Sequence, residues 1–150
     1  MPVDEFEPEY DLEEDYPGLR GSEWQVTSER TRQYNCISYA AYDTRRPWFP
    51  WKHFYWPPGA KKEDTIEGWV SAFHVLAYKP CDDESLEDGY EKIAIYALDG
   101  LPKHVARQLE SGNWTSKLGN DEDISHHTLE ALEGEFYGKV VVLMKRQRMT

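Results

Sequence analysis

The chain has 150 residues, of which 28 are acidic and 17 are Lys or Arg, and its formal net charge is −11. This length is typical of a single domain that buries a real hydrophobic core. The negative charge argues against nucleic-acid binding, which needs clustered bases, and no apolar run approaches the ~20 residues of a membrane span.

The N-terminal segment carries much of the negative charge. Eight acidic residues and no base lie in the first sixteen positions: Asp4, Glu5, Glu7, Glu9, Asp11, Glu13, Glu14 and Asp15. Repelling charges with little apolar surface favour disorder. We therefore expect a disordered acidic tail over residues 1–22 and one folded domain over residues 23–150.

Two helices are predicted in the first half of the domain. Asn35 is a good N-cap residue, and the run from Cys36 to Ala41 suits a short buried helix with the cysteine in its first turn. Asp64-Thr65 caps a second helix over residues 65–77. Its apolar residues recur at the i, i+3, i+4, i+7 spacing of one helix face: Ile66, Trp69, Val70, Phe73, Leu76 and Ala77.

Residues 44–59 join these helices and are unusually rich in proline and aromatic residues. Four prolines exclude a regular helix or a central strand. Six aromatic side chains require burial or a partner, so we expect a structured loop that packs over the core or walls a cleft. Its tryptophans, Trp48, Trp51 and Trp56, are candidate binding residues for a peptide or a carbohydrate.

The second half of the chain predicts an antiparallel sheet. After a polar loop at 79–89, strands are expected at 90–98, 104–109, 114–118 and 138–145, the last fully buried. Asp99-Gly100 is a hairpin turn signal, and residues 123–133 suit a loop or a short helix. The predicted fold class is α+β, with N-terminal helices packed on the sheet.

A cysteine at a helix start and a histidine on a strand are the elements of a thiol nucleophile and its base. The helix dipole and free N–H groups at Cys36 favour the thiolate. His104 would act as the base. Ser116 and Asp123 are candidates to orient its ring, while Asn35, Arg107 and Lys117 are candidates to bind substrate.

This order of elements resembles the papain-like superfamily, and most closely its NlpC-type and CHAP amidases. The resemblance covers roughly residues 31–145 as topology. Cys36 matches the nucleophile, and His104, in His-Val-Ala, matches the strand histidine. At the third position NlpC-type enzymes commonly have His, Asn or Gln, whereas this chain has Ser116 or a residue near Asn120. The resemblance implies a papain-like topology and cysteine-dependent hydrolysis of an amide.

The chain is also similar to a set of uncharacterised bacterial proteins. The shared runs are Asn35-Cys36, Tyr90–Ala97, His104–Leu109 and Trp114–Gly119. This likeness brings no known activity.

No metal or cofactor is expected. The two cysteines, Cys36 and Cys81, lack the spacing of a zinc motif, and His126-His127 are adjacent residues that point to different faces. The N-terminus shows no signal peptide, so we expect a cytoplasmic protein, with export by a dedicated system as the other route.

Two functional hypotheses follow. The first is a cysteine hydrolase, a peptidase, amidase or deamidase acting on a peptide or protein amide, with Cys36 and His104 as its reacting pair. The second is a non-catalytic module that binds protein or carbohydrate through the aromatic loop at residues 47–58. Contact between the cysteine sulfur and the histidine ring separates them, because only the hydrolase requires it.

Overall fold

The computed structural model describes residues 12–148, which form a seven-stranded antiparallel sheet with a few short helices. The strands are β1 (Trp24–Ser28), β2 (Lys79–Cys81), β3 (Tyr90–Leu98), β4 (Leu101–Gln108), β5 (Trp114–Lys117), β6 (Asp123–His126) and β7 (Lys139–Gln147). The helices are α1 (Leu12–Asp15), α2 (Cys36–Ala40) and α3 (Ile66–Val75), with 3-10 turns at Pro17–Leu19 and Glu130–Leu132. The predicted mixture of helix and antiparallel sheet is confirmed.

The strands lie in the order β1-β6-β5-β4-β3-β7-β2. The centre is the hairpin of β3 and β4, which turns at Asp99-Gly100 as predicted. Both turn residues have positive φ (52° and 80°), as a tight hairpin turn requires. Pairing begins at once after the turn, so β4 starts at Leu101, three residues before the predicted start at His104.

Three predictions about the sheet were wrong in detail. Residues 123–126 form β6, which pairs with both β5 and β1, where a loop or helix was expected. Lys79–Cys81 form the short edge strand β2. The last strand, β7, is only partly buried, and Val141 is half-exposed. Because β2 pairs with only three residues of β7, the start of β7 lies along an open edge.

The sheet has two covered faces. On the helical face, α2 and α3 pack against the strands through Ile37, Phe73, Ile95 and Val105. On the opposite face, the N-terminal segment and the Glu130–Leu132 turn pack against a second cluster that includes Tyr96, Ala106, Trp114 and Tyr137.

Residues 12–22 belong to this second cluster, so the expected disordered tail does not extend over them. Leu12 and Leu19 are at most 1% exposed and lie in the core of the opposite face. Charge density suggested disorder, but these two leucines bury enough apolar surface to order a short helix and a turn. The rest of the predicted tail, residues 1–11, lies outside the described residues.

Both predicted helix starts are confirmed. Asn35 caps α2 by accepting a hydrogen bond from the Ser38 N–H, and Thr65 caps α3 by accepting one from the Gly68 N–H. Helix α3 ends at Val75, two residues before the predicted end, and Ala77 already has a positive φ of 78°. No helix within residues 12–148 is long and apolar enough to cross a membrane.

Candidate functional site

Cys36 is the first residue of α2 and lines a surface cavity. Burial raises the pKa of its thiol from 9.0 to about 11, although backbone N–H groups of Val105 and Ile37 pull it down. The desolvation penalty is therefore larger than the stabilisation that the helix start provides. At neutral pH the side chain is a thiol, contrary to the lowered pKa that the sequence predicted.

His104 lies on the opposite face of the sheet from α2. Its ring stacks on Tyr137 (centroids 4.1 Å apart, planes 3° apart) and contacts Tyr96, both members of the opposite-face core. Side chains alternate along a strand, so the residue of β4 that faces α2 is its neighbour Val105. Neither ring nitrogen of His104 has a hydrogen-bond partner among residues 12–148.

The structure therefore does not bring Cys36 and His104 together as a hydrogen-bonded pair. Burial holds the pKa of His104 well below 6.5, so the ring is neutral at pH 7. The predicted pair fails because side chains alternate between the two faces of a strand. Along β4, a shift of one residue moves a side chain from the face that carries α2 to the opposite face.

Ser116 and Asp123, the predicted orienting residues, contact other partners. Ser116 Oγ lies 2.8 Å from Nε2 of His126, and Nδ1 of His126 lies 2.9 Å from the Thr128 carbonyl oxygen. The carbonyl accepts only, so Nδ1 carries the proton and Nε2 accepts from the serine. Both side chains are buried, and their hydrogen bond joins β5 to β6.

Asp123 joins β6 to the segment before α2. Its Oδ2 accepts hydrogen bonds from Ser28 Oγ and Tyr34 Oη, both at 2.6 Å. These two bonds hold the segment before α2 against the sheet, whereas the His104 ring packs in the core of the opposite face.

Four predicted binding residues are structural. The Arg107 guanidinium lies over the rings of Tyr42 and Tyr39. The Lys117 ammonium donates to the carbonyls of Gly119 and Asp121, and burial lowers its pKa. The indole N–H groups of two buried tryptophans bond to residues that flank the loop, Trp48 to the Asp43 carboxylate and Trp56 to the Lys61 carbonyl.

Asn35 and Trp51 line the same cavity as Cys36, which has a volume of about 330 Å³. Trp51 is 49% exposed and stacks on Phe49, with ring centroids 4.6 Å apart and planes 5° apart. Trp69 and Ile37 complete the apolar wall, and we call this space the aromatic cavity.

Two polar side chains on the wall of the aromatic cavity, Asn35 and Asp64, are engaged within the protein. Asn35 Oδ1 accepts from the N–H groups of Ser38 and Trp48, and its Nδ2 donates to the Trp48 carbonyl. Asp64 Oδ1 accepts from the Trp69 indole. Away from Lys103 and Asn120 at its edge, the cavity therefore offers mainly aromatic and aliphatic surface.

Sequence reasoning missed the other residues of this cavity. The sequence pattern assigns Trp69 only to the core face of its helix, and it assigns no role to Pro102 or Lys103, which also line the cavity. The aromatic run at residues 47–58 was the usable signal, since it contains Phe49 and Trp51. Only the folded chain brings the start of β4 and the β5–β6 turn beside this loop.

Within residues 12–148, no group of three or more His, Cys, Asp or Glu residues is arranged to hold a metal ion. Comparison with the curated proteins found no match, and comparison with the solved structures found none either. A family model described as a domain of unknown function, DUF7689, matches residues 25–145. The match covers all seven strands except for the first residue of β1 and the last two residues of β7. The chain belongs to the DUF7689 family.

Proposed function

We propose that this domain is a non-catalytic binding module that takes an apolar side chain of a protein partner into the aromatic cavity. The observation that carries the proposal is the half-exposed Trp51 stacked on Phe49 at the mouth of a cavity walled by Trp69 and Ile37. Large exposed aromatic residues beside a concave apolar surface are typical of interaction sites.

A protein ligand is favoured over a carbohydrate. Sugars need several hydrogen bonds in addition to an aromatic platform, and the side chains of Asn35 and Asp64 already bond inside the protein. An apolar side chain requires no such partners, and its burial against aromatic surface provides the free energy of binding.

The amide-hydrolase hypothesis has less support. Its nucleophile carries a raised pKa, and its base lies on the other face of the sheet. The cavity next to Cys36 instead suits binding, with the thiol as a small neutral contact at its wall.

The proposal is tested by titrating ¹⁵N-labelled protein with N-acetyl-leucinamide and N-acetyl-phenylalaninamide, monitored by NMR. We expect saturable shifts of the Trp51 and Trp69 indole signals with a Kd on the order of 1 mM, as befits so small a ligand. Trp51→Ala should weaken binding at least fivefold. Phe136→Ala, which removes an equally exposed aromatic residue outside this cavity, should not.

Two results would contradict the proposal. One is the absence of saturable shifts at the two indoles with either amide. The other is a response to N-acetylglucosamine or cellobiose in place of the amides, which would assign the cavity to carbohydrate.

A further inference from the structure

A second cavity, of about 590 Å³, adjoins the aromatic cavity. The two share Lys103, Gly119 and Asn120, so they meet where the start of β4 lies beside the β5–β6 turn. We call these two adjacent cavities, taken together, the groove. An occupant of both cavities must be longer than a single side chain.

The far end of the groove has its own aromatic cluster. Tyr16 packs against Phe136 and Tyr137, with ring centroids 5.8 and 5.2 Å apart. Phe136 is 50% exposed, nearly the same fraction as Trp51 at the other end. Each cavity therefore presents one half-exposed aromatic residue to an occupant.

The charges along the groove follow a pattern. Asp64 lines only the aromatic cavity. Asp15, Asp121 and the exposed Arg32 line only the second cavity, and the shared segment carries the exposed Lys103. Among residues 12–148, Lys103 forms no ion pair with a carboxylate. A ligand that crosses the shared segment therefore meets a free ammonium between the aromatic cavity and the aromatic cluster of the second cavity.

We propose that the groove binds an extended peptide segment in which an acidic residue lies between two apolar side chains. One apolar side chain enters each cavity, and the acidic side chain pairs with Lys103. This inference rests on the proposed function and adds to it the chemistry and the length of the bound segment. Successive residues of an extended peptide rise about 3.3 Å each, so a segment of several residues is needed to reach both cavities.

The test uses fluorescein-labelled peptides in which two leucines flank one glutamate, with one to three serines on each side of the glutamate. Binding to the full-length protein is measured by fluorescence polarisation. We expect one spacing to bind at least tenfold tighter than a matched peptide with a single leucine, because the second cavity adds a second buried side chain. Replacing the glutamate by glutamine should weaken binding about threefold.

Variants of the protein assign each contact. Lys103→Glu should weaken binding of the glutamate peptide about tenfold, and a peptide with lysine in place of glutamate should recover most of the loss. Lys139→Glu, which reverses an exposed lysine of β7 that does not line the groove, is the matched control and should have no effect beyond salt screening. Phe136→Ala should weaken the two-leucine peptide more than the one-leucine peptide.

Failure of this inference is distinct from failure of the proposed function. If N-acetyl-leucinamide binds at Trp51 but two-leucine peptides gain nothing over one-leucine peptides, the groove inference is wrong and the binding module stands. Equal binding by the Lys103→Glu variant would also overturn it. Concentration-dependent self-association that protects the groove and excludes every peptide would assign the groove to a second copy of the chain.

Discussion

The thiol of Cys36 is subject to two opposing effects on its pKa. Its place at a helix start supplies N–H groups that favour the thiolate, and its partial enclosure against β4 disfavours any charge. Helix α2 has only five residues, so its dipole is small. Burial is the larger effect, and it is one that a sequence motif does not report.

We therefore predict slow alkylation of Cys36. A thiol with a pKa near 11 has about 100-fold less thiolate below pH 9 than one at 9.0. In a Cys81→Ser variant, the iodoacetamide reaction rate at pH 7 should be far below that of free cysteine and should rise about tenfold per pH unit up to pH 9. Fast labelling at pH 6 to 7 would contradict this prediction and support a nucleophilic Cys36. The control is Cys36→Ser in the Cys81→Ser background, which has no thiol to label.

His104 and His126 are both buried with depressed pKa values, His126 from 6.5 to about 4 and His104 well below 6.5, because burial penalises the charged ring. The unfolded chain takes up these protons near pH 6.5, whereas the folded protein does not until a much lower pH. Stability is therefore complete above about pH 6.5 and declines as the pH falls from there toward 4.

We predict that the free energy of unfolding falls by about 1 kcal/mol per buried histidine for each pH unit between 6.5 and 5. His104→Phe keeps the stack on Tyr137 and removes one titrating ring, so the slope should fall by about half. Urea unfolding at pH 7.5, 6.5, 5.5 and 5.0 measures the free energy of unfolding and therefore its slope with pH. An unchanged slope in the variant would show that His104 does not contribute to acid sensitivity.

At the scale of the element, α2 is held by its cap rather than by its length. Five residues are too few for a helix to be stable alone. The Asn35 side chain and the Ser38 side chain each bond to the other's backbone N–H, and Asn35 also bonds both polar groups of the Trp48 backbone. One residue therefore joins the helix to the aromatic loop that walls the cavity.

Asn35→Ala should destabilise the protein by about 2 kcal/mol, since it removes a cap and leaves buried backbone groups of Trp48 unpaired. Thr65→Ala removes only the cap bond of α3 to Gly68 and should cost about 1 kcal/mol. Chemical denaturation compares the two. Equal losses would mean that the bonds to Trp48 add nothing to the stability of the loop.

Along β4, the alternation of side chains between the two faces of the sheet separates His104 from Cys36, the two residues of the predicted reaction centre. The presence, order and hairpin turn of β3 and β4 were predictable, because apolar alternation and Asp99-Gly100 are local signals. The side of the sheet that His104 faces depends on a register irregularity in the hairpin near Ala97, and whether that side carries α2 depends on residues distant in sequence.

At the scale of the whole molecule, the N-terminal segment forms part of the core. Leu12 and Leu19 cover the face of the sheet that α2 and α3 leave open, together with Leu129, Ala131 and Leu132. Without this layer, one face of β4, β5 and β6 would lie open to water, which a sheet with apolar side chains on both faces does not tolerate.

Leu19→Ala should lower the free energy of unfolding by about 3 kcal/mol, in the range found for fully buried leucines. Leu86→Ala removes a half-exposed leucine and should stay within about 0.5 kcal/mol of the parent. Thermal or urea unfolding checks both variants. A loss as small as that of Leu86→Ala would mean that the N-terminal segment is dispensable for folding.

The sequence by itself determined the mixed fold class, the caps at Asn35 and Thr65, the main strands and the unusual aromatic loop. Each depends on neighbours within a few residues, through capping bonds, turn conformations and side-chain periodicity. Only the tertiary structure decided that Cys36 and His104 lie on opposite faces and that Trp51 and Lys103 border one groove. These features depend on which segments pack together and on how deeply each side chain is buried, and both are properties of the assembled core.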